Sequence, residues 1–66
     1  MNVIYNGMKC RLLEYYIQKD DGPYVMIVNP SDIEKAYGMG FECLGYPTEI
    51  AKKISREEYE KLVNEL

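Results

Sequence analysis

Apolar and polar residues alternate in the first half of the chain in a way that predicts a long β-hairpin. Two runs rich in Tyr, Ile, Leu and Val lie within residues 8–28 and flank KDDGP at residues 19–23, a sequence typical of turns. The first run predicts a long strand over residues 8–18. The second, Tyr24–Val28, is apolar on both faces and predicts a central, buried strand.

A second, shorter hairpin is predicted upstream. Asn6-Gly7 lies between two apolar stretches, and this dipeptide is the strongest short-range hairpin signal because both residues tolerate positive φ. Residues 2–5 are therefore expected to form a short strand that pairs with residues 8–18. Neither face of that longer strand is cleanly polar, which is typical of a strand that bends or bulges as its sheet curls.

The middle of the chain predicts one short helix or a loop. Asn29-Pro30 ends the buried strand, and Ser31 and Glu34 have the spacing of a capping box. Gly38 could end a helix in the left-handed conformation, so one or two helical turns are expected over residues 32–37, with a plain loop as the alternative.

Two further strands are predicted before the C-terminal helix. Residues 41–46 (FECLGY) alternate as a strand does, and Pro47 ends the pattern. Residues 49–54 (EIAKKI) suit a strand or a helix, because Ile50 and Ile54 share a face in either. We favour the strand, since the residues that follow begin a helix of their own.

The C-terminal helix is the clearest local feature. Ser55 and Glu58 form a second capping box, and Glu57 adds a second carboxylate where the N-terminal helix dipole favours it. The spacing of the apolar side chains predicts one stripe that packs on the sheet. That stripe comprises Tyr59, Leu62, Val63 and Leu66.

These elements predict a single α+β domain over residues 1–66. About five strands would form a small curled antiparallel sheet or an SH3-like barrel, closed by the C-terminal α-helix. A β-meander with a helical tail fits many small bacterial or phage proteins, but such an analogy concerns fold and cannot assign function.

Composition and charge argue against some classes of binding partner and cellular location. The chain carries eight basic and eleven acidic residues, a net charge of −3, and therefore lacks the basic excess that supports non-specific binding to nucleic acid. The start, MNVIYNGMK, lacks the basic and apolar regions of a signal peptide, and the longest apolar run is far too short to span a membrane. Two cysteines favour a reducing compartment, so we expect a cytoplasmic protein.

The sequence gives little support for a catalytic site or a metal-binding site. The chain has no His, so it cannot form a Ser-His or Cys-His pair, and its two cysteines fall short of a structural zinc site. Cys10 and Cys43 both alternate with apolar neighbours and are expected to be buried, inert thiols. Asp20-Asp21 indicates a turn, and Gly38-Met39-Gly40 lacks the remainder of a phosphate loop. We expect no enzyme, no cofactor and no metal.

Aromatic and methionine side chains give the leading functional hypothesis. A core of this size needs less aromatic and methionine surface than the chain offers at Tyr15, Tyr16, Tyr24, Tyr37, Tyr46, Met26 and Met39. Tyr and Met are both enriched in protein interfaces. We therefore expect a non-enzymatic adaptor, regulator or inhibitor that binds another protein, or a second copy of itself, through a Tyr/Met-bearing sheet face. The candidates are Tyr15, Tyr16, Tyr24, Met26, Tyr37 and Tyr46.

A nucleic-acid-binding barrel of the SH3-like or OB-like type is the alternative hypothesis. Basic side chains interleaved with an aromatic on one strand face can hold a nucleic-acid strand, although Lys also protects the edges of sheets from unwanted pairing. The candidates are Lys9, Arg11, Tyr15, Lys52 and Lys53.

Overall fold

The computed structural model describes residues 1–16, 21–45 and 49–65. The elements are β1 (Asn2–Tyr5), β2 (Met8–Leu13), β3 (Tyr24–Ile27), α1 (Ile33–Gly38), β4 (Glu42–Cys43), β5 (Ile50–Lys53) and α2 (Arg56–Asn64). The five strands pair antiparallel in the order β1-β2-β3-β5-β4, and a 3₁₀ turn at Pro30–Asp32 precedes α1. Strands β1 and β4 each have one strand neighbour, so the sheet is open.

This architecture confirms the predicted small antiparallel sheet with a C-terminal helix. The sheet does not close into an SH3-like barrel, because β1 and β4 lie at opposite edges. The strand prediction for residues 49–54 is also confirmed, since β5 occupies the centre of that segment.

The turn at Asn6-Gly7 forms as predicted. Asn6 has φ 50° and Gly7 has φ 83°, the positive values that a two-residue turn of the favoured hairpin type requires. This turn sets Tyr5 opposite Met8, and Val3 then falls opposite Cys10.

One face of the sheet, here called the core face, packs against both helices. Along β1 and β2 every second side chain is buried, as the strand period of two requires. Ala36 of α1 and Leu62 of α2 join these side chains in a single apolar cluster. The buried side chains that the strands contribute to this face are Val3, Tyr5, Met8, Cys10, Leu12, Val25, Ile27 and Ile50.

The two helices begin differently. At α2, Ser55 caps the helix as predicted, because its Oγ accepts a hydrogen bond of 3.0 Å from the Glu58 N–H. At α1, the predicted Ser31 cap is wrong: the chain enters through the 3₁₀ turn at Pro30–Asp32, and no side chain caps the helix. The left-handed residue is Gly40, with φ 90°, because the helix continues through Gly38.

Two strands are shorter than the sequence predicts. β2 ends at Leu13 and the chain bends at Glu14, whereas residues 17–18 of the predicted strand lie outside the described residues. β4 covers only two residues of the predicted 41–46, of which Tyr46 also lies outside the described part. Beyond β2, the backbone at Glu14 and Tyr15 approaches Gly22 so closely that a side chain there has no room.

Replacing Gly22 with Ala is therefore expected to destabilise the fold. The added Cβ would overlap the carbonyl oxygen of Glu14 and the Cα of Tyr15, backbone atoms that cannot rotate away. We expect the free energy of unfolding, measured by urea denaturation, to fall by about 1–3 kcal/mol.

Gly38→Ala is the matched control for this substitution. A Cβ at Gly38 meets no atom within 4 Å, and Ala favours the helix by up to about 1 kcal/mol. Equal stability of the two variants would contradict the close packing of Gly22.

Candidate interaction surface

The second face of the sheet, here called the outer face, lies opposite both described helices. Strand pairing places its residues in three rows: Ile4 with Lys9; Asn2, Arg11, Met26, Ala51 and Glu42; and Leu13, Tyr24 and Lys53. Both helices contribute their buried side chains to the core face, so neither described helix covers this surface.

An apolar strip crosses the outer face from β2 to β5 and consists of Leu13, Tyr24, Met26 and Ala51. Met26 is partly buried and lies between Arg11 of β2 and Ala51 of β5. Leu13 is also partly buried, whereas Ile4 is 65% exposed. Lys9 and Arg11 of β2 separate Ile4 from the strip, and the strip itself is well covered toward β5, where Ala51 is 1% exposed.

Two tyrosines pack together at the end of this strip. The ring centroids of Tyr16 and Tyr24 lie 5.7 Å apart, and the Tyr24 hydroxyl donates a hydrogen bond of 2.9 Å to Asp21 Oδ1. That bond, followed by burial, raises the pKa of Tyr24. Burial, with a hydrogen bond to the Glu49 carboxylate, raises the pKa of Tyr16. Tyr24 is only 8% exposed, so its ring stabilises the fold and presents little surface to a partner.

Cations surround the strip. Lys9, Arg11 and Lys53 are exposed on the outer face, and Glu42 is the acidic residue in its paired rows. The Asp21 and Glu49 carboxylates lie at the far end of the face, beside the Tyr24 and Tyr16 hydroxyls. The basic part of the outer face is therefore the part around Lys9 and Arg11 of β2. A basic face with an apolar centre is complementary to an acidic surface that carries an apolar contact.

Lys52 lies on the opposite side of the sheet from Lys53. It pairs with Val25 on the core face, and its Nζ donates to the Tyr5 hydroxyl at 3.4 Å and lies 5.7 Å from the centre of that ring. The same hydroxyl donates to Glu58 of α2 at 3.3 Å. Lys52 thus ties β5 to β1 and α2, while Lys53 faces outward.

The structure brings together only part of each predicted residue set. Tyr16, Tyr24 and Met26 share the outer face, as do Lys9, Arg11 and Lys53. Tyr37 is half exposed on α1, on the core side of the sheet, and Tyr15 is half exposed beyond the end of β2. Tyr46 lies outside the described residues.

The two cysteines occupy different environments. Cys10 is fully buried on the core face, where burial and, secondarily, the Asp32 carboxylate raise the pKa of its thiol to about 11. Cys43 is exposed, and its Sγ donates to the Gly45 carbonyl oxygen at 3.4 Å. The expectation of a buried thiol is therefore confirmed for Cys10 and wrong for Cys43, because β4 is an edge strand of two residues.

A groove between β1 and α2 was not predicted. It has a volume of about 350 Å³, and a second hollow of about 230 Å³ continues along the same helix. Pattern analysis misses such a groove because it depends on the distance between a strand edge and a helix. The sequence feature that could have indicated the groove is the lack of any charged residue in β1. The larger groove is lined by Asn2, Val3, Ile4, Lys9, Leu62 and Glu65.

Comparisons with known protein families, curated proteins and solved structures find no match. Within the described ranges, no three His, Cys, Asp or Glu side chains are grouped so that they could hold a metal ion. None of the helices in those ranges is long and apolar enough to cross a bilayer.

The contrast between the cysteines predicts selective alkylation. At pH 8 only roughly one Cys10 thiol in a thousand would be ionised, and the side chain is inaccessible. Iodoacetamide should therefore modify Cys43 in the native protein, with Cys10 reacting at least about a hundredfold more slowly. Peptide mass spectrometry after timed quenching measures both rates, and denaturant should make them similar. Comparable native rates would contradict the burial of Cys10.

Proposed function

We propose that this protein is a non-enzymatic interaction module that binds an acidic protein surface through its outer face, acting as an adaptor, regulator or inhibitor. The observation that carries the proposal is the apolar strip flanked by three cations on a sheet face that neither described helix covers.

Met26 and Arg11 are the central contacts in this proposal. They are neighbours in register, and both residue types are enriched at the cores of protein interfaces. Lys9 and Lys53 lie on either side and supply a basic rim, which steers encounter with an acidic partner. Exposed Ile4 adds a separate apolar contact at the β1 edge, on the other side of Lys9 and Arg11.

Nucleic-acid binding is the second candidate, because Lys9, Arg11 and Lys53 share one face. Two features favour a protein partner instead. Lys52 is directed toward Tyr5 on the core face, and the Tyr24 ring is too deeply buried to stack on a base. Tyr15 would be the available stacking residue.

The first test is an affinity pull-down with a C-terminal tag, run with and without nuclease and read by mass spectrometry. A partner retained after nuclease would then be titrated against variants. Met26→Ala and Arg11→Glu should each weaken binding about tenfold or more, since both remove contacts from the centre of the surface. Tyr37→Ala, at an exposed site on α1, is the control and should bind as the unmodified protein does. Loss of binding in the control alone would place the interface on the helical side.

The nucleic-acid candidate predicts a different outcome. Partners would disappear with nuclease, and affinity for an oligonucleotide would fall with salt at a logarithmic slope of about −2 to −3, as expected for three phosphate contacts. Lys9→Ala or Lys53→Ala should reduce that slope by about one, whereas Lys52→Ala should leave it unchanged. Fluorescence anisotropy across a salt series measures the slope, and absent or salt-independent binding would eliminate this candidate.

A further inference from the structure

Strand β1 is an edge strand that lacks the sequence features that usually protect an edge from pairing. Natural sheets protect their edges with charged residues, proline, bulges, very short strands or a covering helix or loop, since an exposed edge can pair with another strand. α2 lies beside β1, but a groove of about 350 Å³ separates the two elements. β1 has the sequence NVIY, which contains no charge and no proline, and all four residues pair in regular register with β2. The opposite edge, β4, is two residues long and carries the Glu42 carboxylate.

The backbone groups at this edge can be assigned from the ladder. The Leu12 N–H donates to the Met1 carbonyl oxygen at 2.8 Å, so these two residues form a hydrogen-bonded pair. Because such pairs alternate in antiparallel sheets, Val3 and Tyr5 also bond to β2, whereas the N–H and C=O groups of Asn2 and Ile4 point away from it. No other described strand lies on that side.

We propose that β1 pairs antiparallel with β1 of a second copy, about a twofold axis between the two copies of Val3. Asn2 of each copy would then lie opposite the partner subunit's Ile4, and the four outward groups on one copy would meet the same four on the other. Such an arrangement is isologous and closes at two subunits. It joins two five-stranded sheets into one continuous sheet.

The charges beside the edge suit a second copy. Lys9, Lys61, Glu58 and Glu65 line the two hollows along β1 and α2, which makes the region neutral with both signs present. Tyr5 contacts Glu58, and Val3 shares a hollow with Leu62 and Glu65, so a twofold axis between the two copies of Val3 passes beside the C-terminal turn of α2. Lys61 of each copy is thereby brought toward the partner subunit's Glu65.

This dimer would place both outer faces on the same side of the continuous sheet. Each copy would present its own strip around Met26 and Arg11, and the exposed Ile4 side chains would lie near the axis between them. The module would then bind two copies of a partner or a repeated surface. Dimerisation itself does not depend on the outer face binding anything.

Sedimentation equilibrium of the untagged protein tests the dimer, using the backbone donor at Ile4. Ile4→Pro removes an N–H that makes no bond within the chain, so the fold should persist, while Ile4→Thr keeps the N–H and the strand preference. Over roughly 1 µM to 1 mM, the unmodified protein and Ile4→Thr should rise from the mass of one chain to that of two. Ile4→Pro should remain a monomer with an unchanged circular dichroism spectrum.

Amide exchange followed by nuclear magnetic resonance locates the interface. The Ile4 amide should exchange quickly at low concentration and at least about tenfold more slowly at high concentration, whereas Val3 and Tyr5 should be protected throughout. An unmodified protein that stays monomeric, a dimer that survives Ile4→Pro, or an Ile4 amide insensitive to concentration would each overturn the proposal.

Exchanging the charges at Lys61 and Glu65 tests the proposed contact between the α2 helices of the two subunits. Lys61→Glu should weaken the dimer several-fold by placing like charges across the axis, and the double variant Lys61→Glu with Glu65→Lys should restore it. Failure of the double variant to recover, with its helix content intact, would contradict the twofold placement of α2.

Discussion

The register of the β1–β2 hairpin is the constraint on which the rest of the structure depends. Asn6 and Gly7 at positive φ set Tyr5 opposite Met8, and this pairing directs Val3 and Cys10 toward the helices. A shift of one residue would reverse every side chain, exposing the buried ones and burying Lys9. The same register leaves Ile4 on the outer face with its backbone directed away from β2. The core, the candidate surface and the free edge therefore follow from one turn.

Neither described helix lies on the outer face. Both pack on the core face, where Tyr5 connects Lys52 of β5 with Glu58 of α2. That cluster holds β1 and β5 to α2 without a buried charge, since Lys52 and Glu58 both keep contact with solvent. Among the described residues, those of the bend after β2 lie over the outer face, where Tyr16 packs on Tyr24. Covering the remainder would require another helix or a partner.

Local signals predict the elements, but not all side-chain directions. The Asn6-Gly7 turn and the Ser55 cap could be identified because each depends on a few adjacent residues. The directions of Lys52 and Lys53 could not, because they follow from the pairing of β5 with β3, and β3 is apolar on both faces. For the same reason Tyr24, a predicted binding residue, is a largely buried part of the fold. The end of β2 at Leu13 likewise depends on contact with the distant Gly22.

The outer face and the β1 edge are linked through Ile4, whose side chain belongs to one and whose backbone belongs to the other. Pairing at the edge would fix the Ile4 backbone and bring a second apolar strip beside the first. A partner that contacts both strips would make its second contact while it is still held by the first. Its overall affinity for the dimer would therefore exceed its affinity for one copy. Conversely, by linkage, a partner that contacts both strips would stabilise the strand pairing. Binding and dimerisation would then strengthen each other, although each rests on separate groups.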